Sequence, residues 1–288
     1  MNQKMDTPKI NFEEERNFSD ILNATFLFLK YNFKTLVASI FYYAGIFILI
    51  TAILTTQFQL ELMDISNLEN IFSLKYFLLI ISSLFTYNMI VTIVNAHIIL
   101  YKNSQDTKIE LNDIWILTQR NFLPNMITTI LIGLAISLGI MLLIVPGVWL
   151  MGIFSIIFIM RNNEEISFNE AFHRCFDLVK NNWWNTFLVM FVSSIITSFA
   201  SSLLAFPQSI ISVLGIFHGT ENSSIQVISL ILNVVTQFGT NILSAIPIIA
   251  ISLQYFSLKE HNEGTSLEKR INKINKNNEN NNNSNLDY

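Results

Sequence analysis

In a chain this poor in charge, the side chains able to do chemistry are mostly amides and hydroxyls, and two stripes of them stand out. Asn88, Thr92 and Asn95 follow one another at +4 and +3, a spacing that gathers them near one face of a helix, with His97 just beyond. Asn233, Gln237, Asn241 and Ser244 repeat the rhythm farther along. Amides so placed can bind a polar ligand or line a path for a neutral or lipidic solute. They can equally satisfy one another across a helix interface, where each contact contributes about 0.6 kcal/mol and sometimes about 1–2. Both readings stay open, and Asn88, Thr92, Asn95, His97, Asn233, Gln237 and Asn241 are the candidates for a polar pathway or a lipid-binding site.

Other chemistry lacks its partners. His97 alone has the means to act as ligand, base or pH switch, but His173, His218 and His261 fall in loops or in an interfacial segment, so no multi-histidine centre forms. No metal or other cofactor is expected. The single cysteine, Cys175, excludes an intrachain disulfide and lies on an apolar helical stripe, as a packing residue rather than a nucleophile. The apolar segments carry none of the buried ionisable groups on which proton relays depend, which disfavours a pump. No catalytic constellation emerges, and the chain is expected not to be an enzyme.

The elements that must position these residues follow from composition. Only 13% of the 288 residues are charged, against 51% hydrophobic, and 24 are Phe, too apolar a mixture for a wholly water-exposed surface. The uncharged stretches predict six spans near residues 35–56, 76–100, 123–145, 148–162, 183–206 and 225–255, each to be covered by helix at 1.5 Å per residue. Asn121 to Met160 is uncharged throughout and would extend about 60 Å as one helix, so Pro146-Gly147 is expected to form a tight turn between two spans. Pro207 is expected to end the fifth span near Phe206, leaving Ile210 to Phe217 interfacial or re-entrant, and a break is expected near Pro247. The first 33 residues include Asp6, Glu13, Glu14, Glu15 and Asp20 and lack a signal-peptide pattern, residues 1–17 are expected to be a cytoplasmic N-terminal segment, and residues 261–288, rich in Asn, are expected to be a disordered cytoplasmic tail. Sixteen of the 17 Lys and Arg residues fall on one side of this arrangement, which places both termini in the cytoplasm.

A weak repeat precedes spans 1, 3 and 5. Phe28, Asn32 and Phe33 correspond to Leu117, Asn121 and Phe122, and to Leu178, Asn182 and Trp183. Each copy reads as an amphipathic segment at the interface followed by a hairpin of spans; in the third, Phe168, Ala171, Phe172, Cys175, Phe176 and Val179 form the apolar stripe. Ile144 to Leu150 (IVPGVWL), then Glu164 or Glu165, then Ser167 to Ala171 (SFNEA), Arg174-Cys175, Lys180-Asn181 and Asn182-Trp183-Trp184 resemble the pattern of the membrane domains of glycerophosphoryl diester phosphodiesterase-type proteins. Related uncharacterised six-span bacterial inner-membrane proteins share much of it. The resemblance implies a helical membrane scaffold; the soluble hydrolytic barrel of the enzyme has no counterpart here.

The expected architecture is therefore all-α, a polytopic six-helix transmembrane bundle with three interfacial amphipathic helices, in a bacterial inner (cytoplasmic) membrane. The expected role is a non-enzymatic scaffold or regulatory component of the bacterial envelope, the alternative a transporter or flippase for a neutral or lipidic substrate. Expected partners are membrane lipids, then a membrane protein or a second copy of the chain, and no nucleic acid.

Overall fold

The computed structural model describes residues 10–62, 74–104, 109–218 and 223–264. The expected N-terminal segment lies in part, and the Asn-rich tail almost wholly, outside the described residues. All regular structure among the described residues is helical. Asn17 caps α1 (Phe18–Ser39) by accepting from the Asp20 N–H at 3.0 Å. A π-helical turn, Ile40–Ala44, then leads into α2 (Gly45–Leu62) without a break in the rod. The remaining helices are α3 (Leu74–Asn103), α4 (Leu111–Leu142), α5 (Ile144–Phe154), α6 (Ile157–Glu164), α7 (Phe168–Val179), α8 (Trp183–His218), α9 (Ser223–Leu243) and α10 (Ala245–Glu263).

Six of the resulting rods are long and apolar enough to cross a membrane: α1–α2, α3, α4, α5–α6, α8 and α9–α10. The chain is an integral, multi-span, all-helical membrane protein. Its centre is α3 and α10, whose runs Asn88–Ile99 and Ile249–Leu258 are buried. The two run in the same direction, since Asn95 meets Ser252 while Lys102 lies over the Phe256 ring. Around them α4, α8 and α9 present Leu134 and Leu138, Phe199 and Leu203, and Ile231 and Val235 outward, side chains that suit a hydrocarbon solvent.

Two local expectations are corrected. The hairpin between the third and fourth spans turns at Leu143, which alone is extended (φ −160°, ψ 142°), and Pro146-Gly147 lies inside the first turn of α5. A first-turn proline needs no N–H partner, so Pro146 starts the helix instead of stopping its predecessor. Gly147 serves the hairpin by closeness: a Cβ there would overlap Ile140 Cγ1 and sit 2.8 Å from the Ile140 backbone nitrogen. Pro207 does not end α8, which continues to His218, so 210–217 belongs to that helix and not to a re-entrant piece; membrane helices tolerate the missing donor. The expected break near Pro247 is present, at Ser244, three residues before the proline, which again occupies a first turn.

The three repeat segments also differ in form. The first two run unbroken into α1–α2 and α4, the latter carrying Pro124, three residues after Asn121, inside the helix. There the Asn amide donates four residues back, Asn32 to Phe28 O at 3.0 Å and Asn121 to Leu117 O at 2.9 Å. Only in the third copy does the chain leave the helix, at Lys180–Asn182, so that α7 stands apart from α8 and Asn182 O receives the Thr186 N–H at 3.0 Å.

Candidate functional site

The stripe on α3 is spent largely on its neighbours. Asn88, fully buried, donates from Nδ2 to Phe122 O at 3.0 Å, and Thr129 Oγ1 approaches its Oδ1 at 3.5 Å. Thr92 donates to Asn88 O at 2.7 Å and accepts from Asn125 Nδ2 at 3.0 Å. These contacts bind α3 to α4. His97 faces the opposite neighbour: its Nε2 lies 3.3 Å from Asn32 Oδ1 and its ring meets Phe28 edge-on, while Nδ1 has no partner among the described residues.

The stripe on α9 does not meet the one on α3. Asn233 donates to Ala52 O at 2.9 Å and to Thr56 Oγ1 at 2.8 Å, tying α9 to α2. Asn241 donates to Gln237 O, one turn back on its own helix, at 2.8 Å, and both side chains are half-buried. Ser244 donates to Asn241 O at 2.6 Å at the helix break. Helical spacing correctly groups such residues on a face; which neighbour covers the face is set by the bundle, and here the two faces turn to different helices.

A second cluster sits where the charged helix ends converge, and its core is the run Asn163-Glu164-Glu165. Asn163 accepts from Lys102 Nζ at 3.1 Å and donates to the Tyr255 hydroxyl at 3.2 Å. Glu164 Oε1 accepts from Tyr255 and from Lys259, each at 2.6 Å, and Arg174 Nε lies 2.7 Å from Oε2. Glu165, the non-glycine residue with positive φ (54°) among those described, caps α6 and turns the chain toward α7 while pairing with Arg120 at 2.5 Å. Glu263 adds contacts to Arg174 and Lys259. These three consecutive residues thus tie α3, α4, α7 and α10 to the end of α6. Sequence reasoning met Glu164 and Glu165 only through a resemblance; the stronger signal was a polar run, Arg161 to Glu165, lodged between two apolar helices.

Helix α7 is locked against this cluster. Ser167 and Glu170 form a capping box: Ser167 N–H and hydroxyl reach Glu170 Oε2 at 2.9 and 2.8 Å, and Glu170 N–H returns to Ser167 Oγ at 3.4 Å. The Ser167 backbone N–H, then its hydroxyl, hold the exposed Glu170 carboxyl below the usual range. On the opposite face Phe172 packs on Phe154, and Phe176 on Trp149 and Phe154, with centroids 5.0–5.7 Å apart. Trp183 Nε1 donates to Trp149 O at 3.0 Å, and Gly152 leaves the room its indole needs. Cys175 is buried on the same apolar face, and burial pushes its thiol pKa far up, so it is neither a ready nucleophile nor a ready metal ligand.

Near the middle of the bundle lies a cavity of about 350 Å³. Tyr87, Val91 and Asn95 line it from α3 at successive four-residue steps, and Ser244 at the break before α10, then Ile248 and Ser252 on α10, do so at the same interval. Both interrupted rods border it, one at Ser244 and Pro247, the other at Ser155, where α5 gives way to α6. Such breaks at membrane depth are tolerated where the irregular backbone is buried in protein or faces a cavity. Of the candidate residues, Asn95 alone lines it; Asn88, Thr92, His97, Asn233, Gln237 and Asn241 do not.

No group of His, Cys, Asp and Glu suited to a metal ion occurs among the described residues. No protein-family model, curated protein or solved structure matches the chain.

Proposed function

We propose that this protein is a non-enzymatic scaffold or regulatory component of a bacterial envelope, resident in the inner membrane with both termini cytoplasmic. The observation that carries the reading is where the intramembrane amides go: Asn88 and Asn125 join α3 to α4, and Asn233 joins α9 to α2, so the polar stripes act as fasteners. A carrier or flippase would be better served by stripes facing one another across a shared path. The orientation is supported by the gathering of Lys102, Arg120, Arg161, Arg174 and Lys259 around one end of the bundle, which the positive-inside rule assigns to the cytoplasm. At that level α7, with one aromatic face and one charged face, is proposed to lie at the interface, as are the leading turns of α1 and α4. Kinship with the membrane domains of glycerophosphoryl diester phosphodiesterase-type proteins is proposed on the stretch from Ile144 to Trp184.

Purification with native lipids, followed by reconstitution, tests the role. The scaffold reading expects a membrane-protein partner or a second copy in stoichiometric amount, and proteoliposomes that move a fluorescent phosphatidylcholine between leaflets no faster than empty vesicles. Accelerated exchange of that lipid would replace it with the flippase reading. Reporter fusions after Asn67, Thr107, Asn163, Gly219 and Asn262 test the topology, which fails if Asn67 and Thr107 report the same side.

A further inference from the structure

The mid-bundle cavity has the chemistry of a site for one particular class of molecule, and the case does not depend on the scaffold reading. At about 350 Å³ it falls in the range of small-molecule sites, roughly 300–1,000 Å³. Its walls are chiefly Val, Ile, Phe and Met, and no Asp, Glu, Lys, Arg or His lines it. Tyr87, Asn95, Ser155, Ser194, Ser244 and Ser252 bring polar atoms to the wall, but Ser155, Ser244 and Ser252 donate to carbonyls three or four residues back, and an apolar chain finds contacts along the Val, Ile, Phe and Met side chains that make up most of the rest. A phosphate or carboxylate head group would enter without a counter-charge, which a membrane interior penalises.

One polar group at the wall is incomplete. Asn95 is 1% exposed, its Oδ1 accepts from Ser252 Oγ at 3.2 Å, and its Nδ2 has no partner among the described residues. The Ser252 hydroxyl also donates to Ile248 O at 2.7 Å. Its single proton cannot serve both acceptors fully. Turning the Asn95 amide over lets Nδ2 donate to Ser252 Oγ and leaves Oδ1 as the orphan instead. In either orientation one amide atom lacks a partner, a donor in the first and an acceptor in the second, and a hydroxyl group satisfies either. Eight residues earlier on the same helix, about 12 Å away, Tyr87 is 50% exposed and lines the same cavity, so the wall reaches accessible surface at mid-helix. A ligand can therefore enter sideways from the lipid.

We propose that this cavity binds a neutral lipid alcohol, a long-chain or isoprenoid alcohol or a diacylglycerol, with its hydroxyl on Asn95 and one apolar chain along Val91, Ile132, Phe158 and Ile248. The two helix breaks at its border give the site a means of moving α5–α6 and α9–α10 when it fills, which suits a regulatory lipid.

The test uses the full-length protein in phosphatidylcholine nanodiscs with two photoactivatable probes, a diazirine-bearing tetradecanol and the matching alkane without the hydroxyl. After illumination, mass spectrometry locates the adducts. The expected result is labelling of α3, α5 and α10 at the cavity wall, with the alcohol favoured over the alkane by about two- to tenfold, the worth of one hydrogen bond. Asn95→Leu is expected to remove that preference, and either Val91→Phe or Ile248→Phe to abolish wall labelling while circular dichroism and elution volume hold; two plugging variants are used so that one misfolding does not decide the matter. Adducts confined to outward residues such as Leu203 and Ile231, wall labelling that survives both plugs, or an alcohol preference that survives Asn95→Leu would each overturn the proposal.

Discussion

The docking of α7 can be measured through the protein's own single thiol. Cys175 is fully buried beneath α7, and burial raises its pKa, so alkylation requires the helix to lift. When lifting and reclosing are fast, the labelling rate follows the open population. Arg174 ties the helix to Glu164 and Glu263 from side chains 38%, 11% and 30% exposed, respectively. Removing one partner of a buried pair costs about 3–5 kcal/mol and an exposed pair contributes about 0–1. The intermediate exposure, and the presence of Glu263 as an alternative partner, place Glu164→Gln at about 1–2 kcal/mol of lost docking free energy. With RT near 0.59 kcal/mol, iodoacetamide should then modify Cys175 about 5- to 30-fold faster in detergent at mildly alkaline pH, read by intact mass, while Cys175→Ala stays unmodified. Arg174→Gln should act similarly, and the double variant should fall short of the product of the two effects, because both remove the same contact. A rate for Glu164→Gln within twofold of the parent, or fully multiplicative effects, would refute the assignment of Glu164 and Arg174 as the clasp.

Gly147→Ala should lower stability by about 1–3 kcal/mol in reversible unfolding in mixed micelles, since its Cβ meets Ile140 backbone; Gly133→Ala, with nothing within 4 Å, should change it by less than about 0.5 kcal/mol. Equal effects at the two glycines would sink the close-approach argument. Glu170 has a carboxyl pKa depressed by Ser167, so its contribution to α7 is present above the ordinary carboxylate pKa and should fade as pH drops through the lower folded value. Hydrogen exchange of α7, corrected for the intrinsic rate, should rise on acidification in the parent and lose much of that dependence in Glu170→Gln.

The rods were legible because charge is expensive in lipid: where Lys, Arg, Asp and Glu stop for long enough an apolar helix runs, and six such rods, the number expected, are long enough to cross a membrane. Proline was the less reliable signal. Pro146 and Pro247 open helices while Pro124 and Pro207 lie within them, two outcomes of one side chain that depend on whether its missing donor falls in a first turn. The candidate amides were legible as faces and not as pairs. Asn88 finds a carbonyl on α4 and Asn233 one on α2, partners 34 and 181 residues away, and no periodicity carries that information. The cavity was farther still from view, since it is a gap bounded by α3, α4, α5–α6, α8 and α10 together.

The hairpin of α4 and α5 bears on how the chain enters its membrane. One extended residue joins the two helices, and the tip around it, Met141 at 86% exposed through Val145 at 77%, is wholly apolar. No hydrophilic segment has to be carried through the bilayer to complete this crossing, so both helices can slide in together as a preformed wedge. An epitope or protease site placed at Leu143 would have to pull that greasy apex into water, and topology at this point is better read from residues flanking the wedge than from its summit.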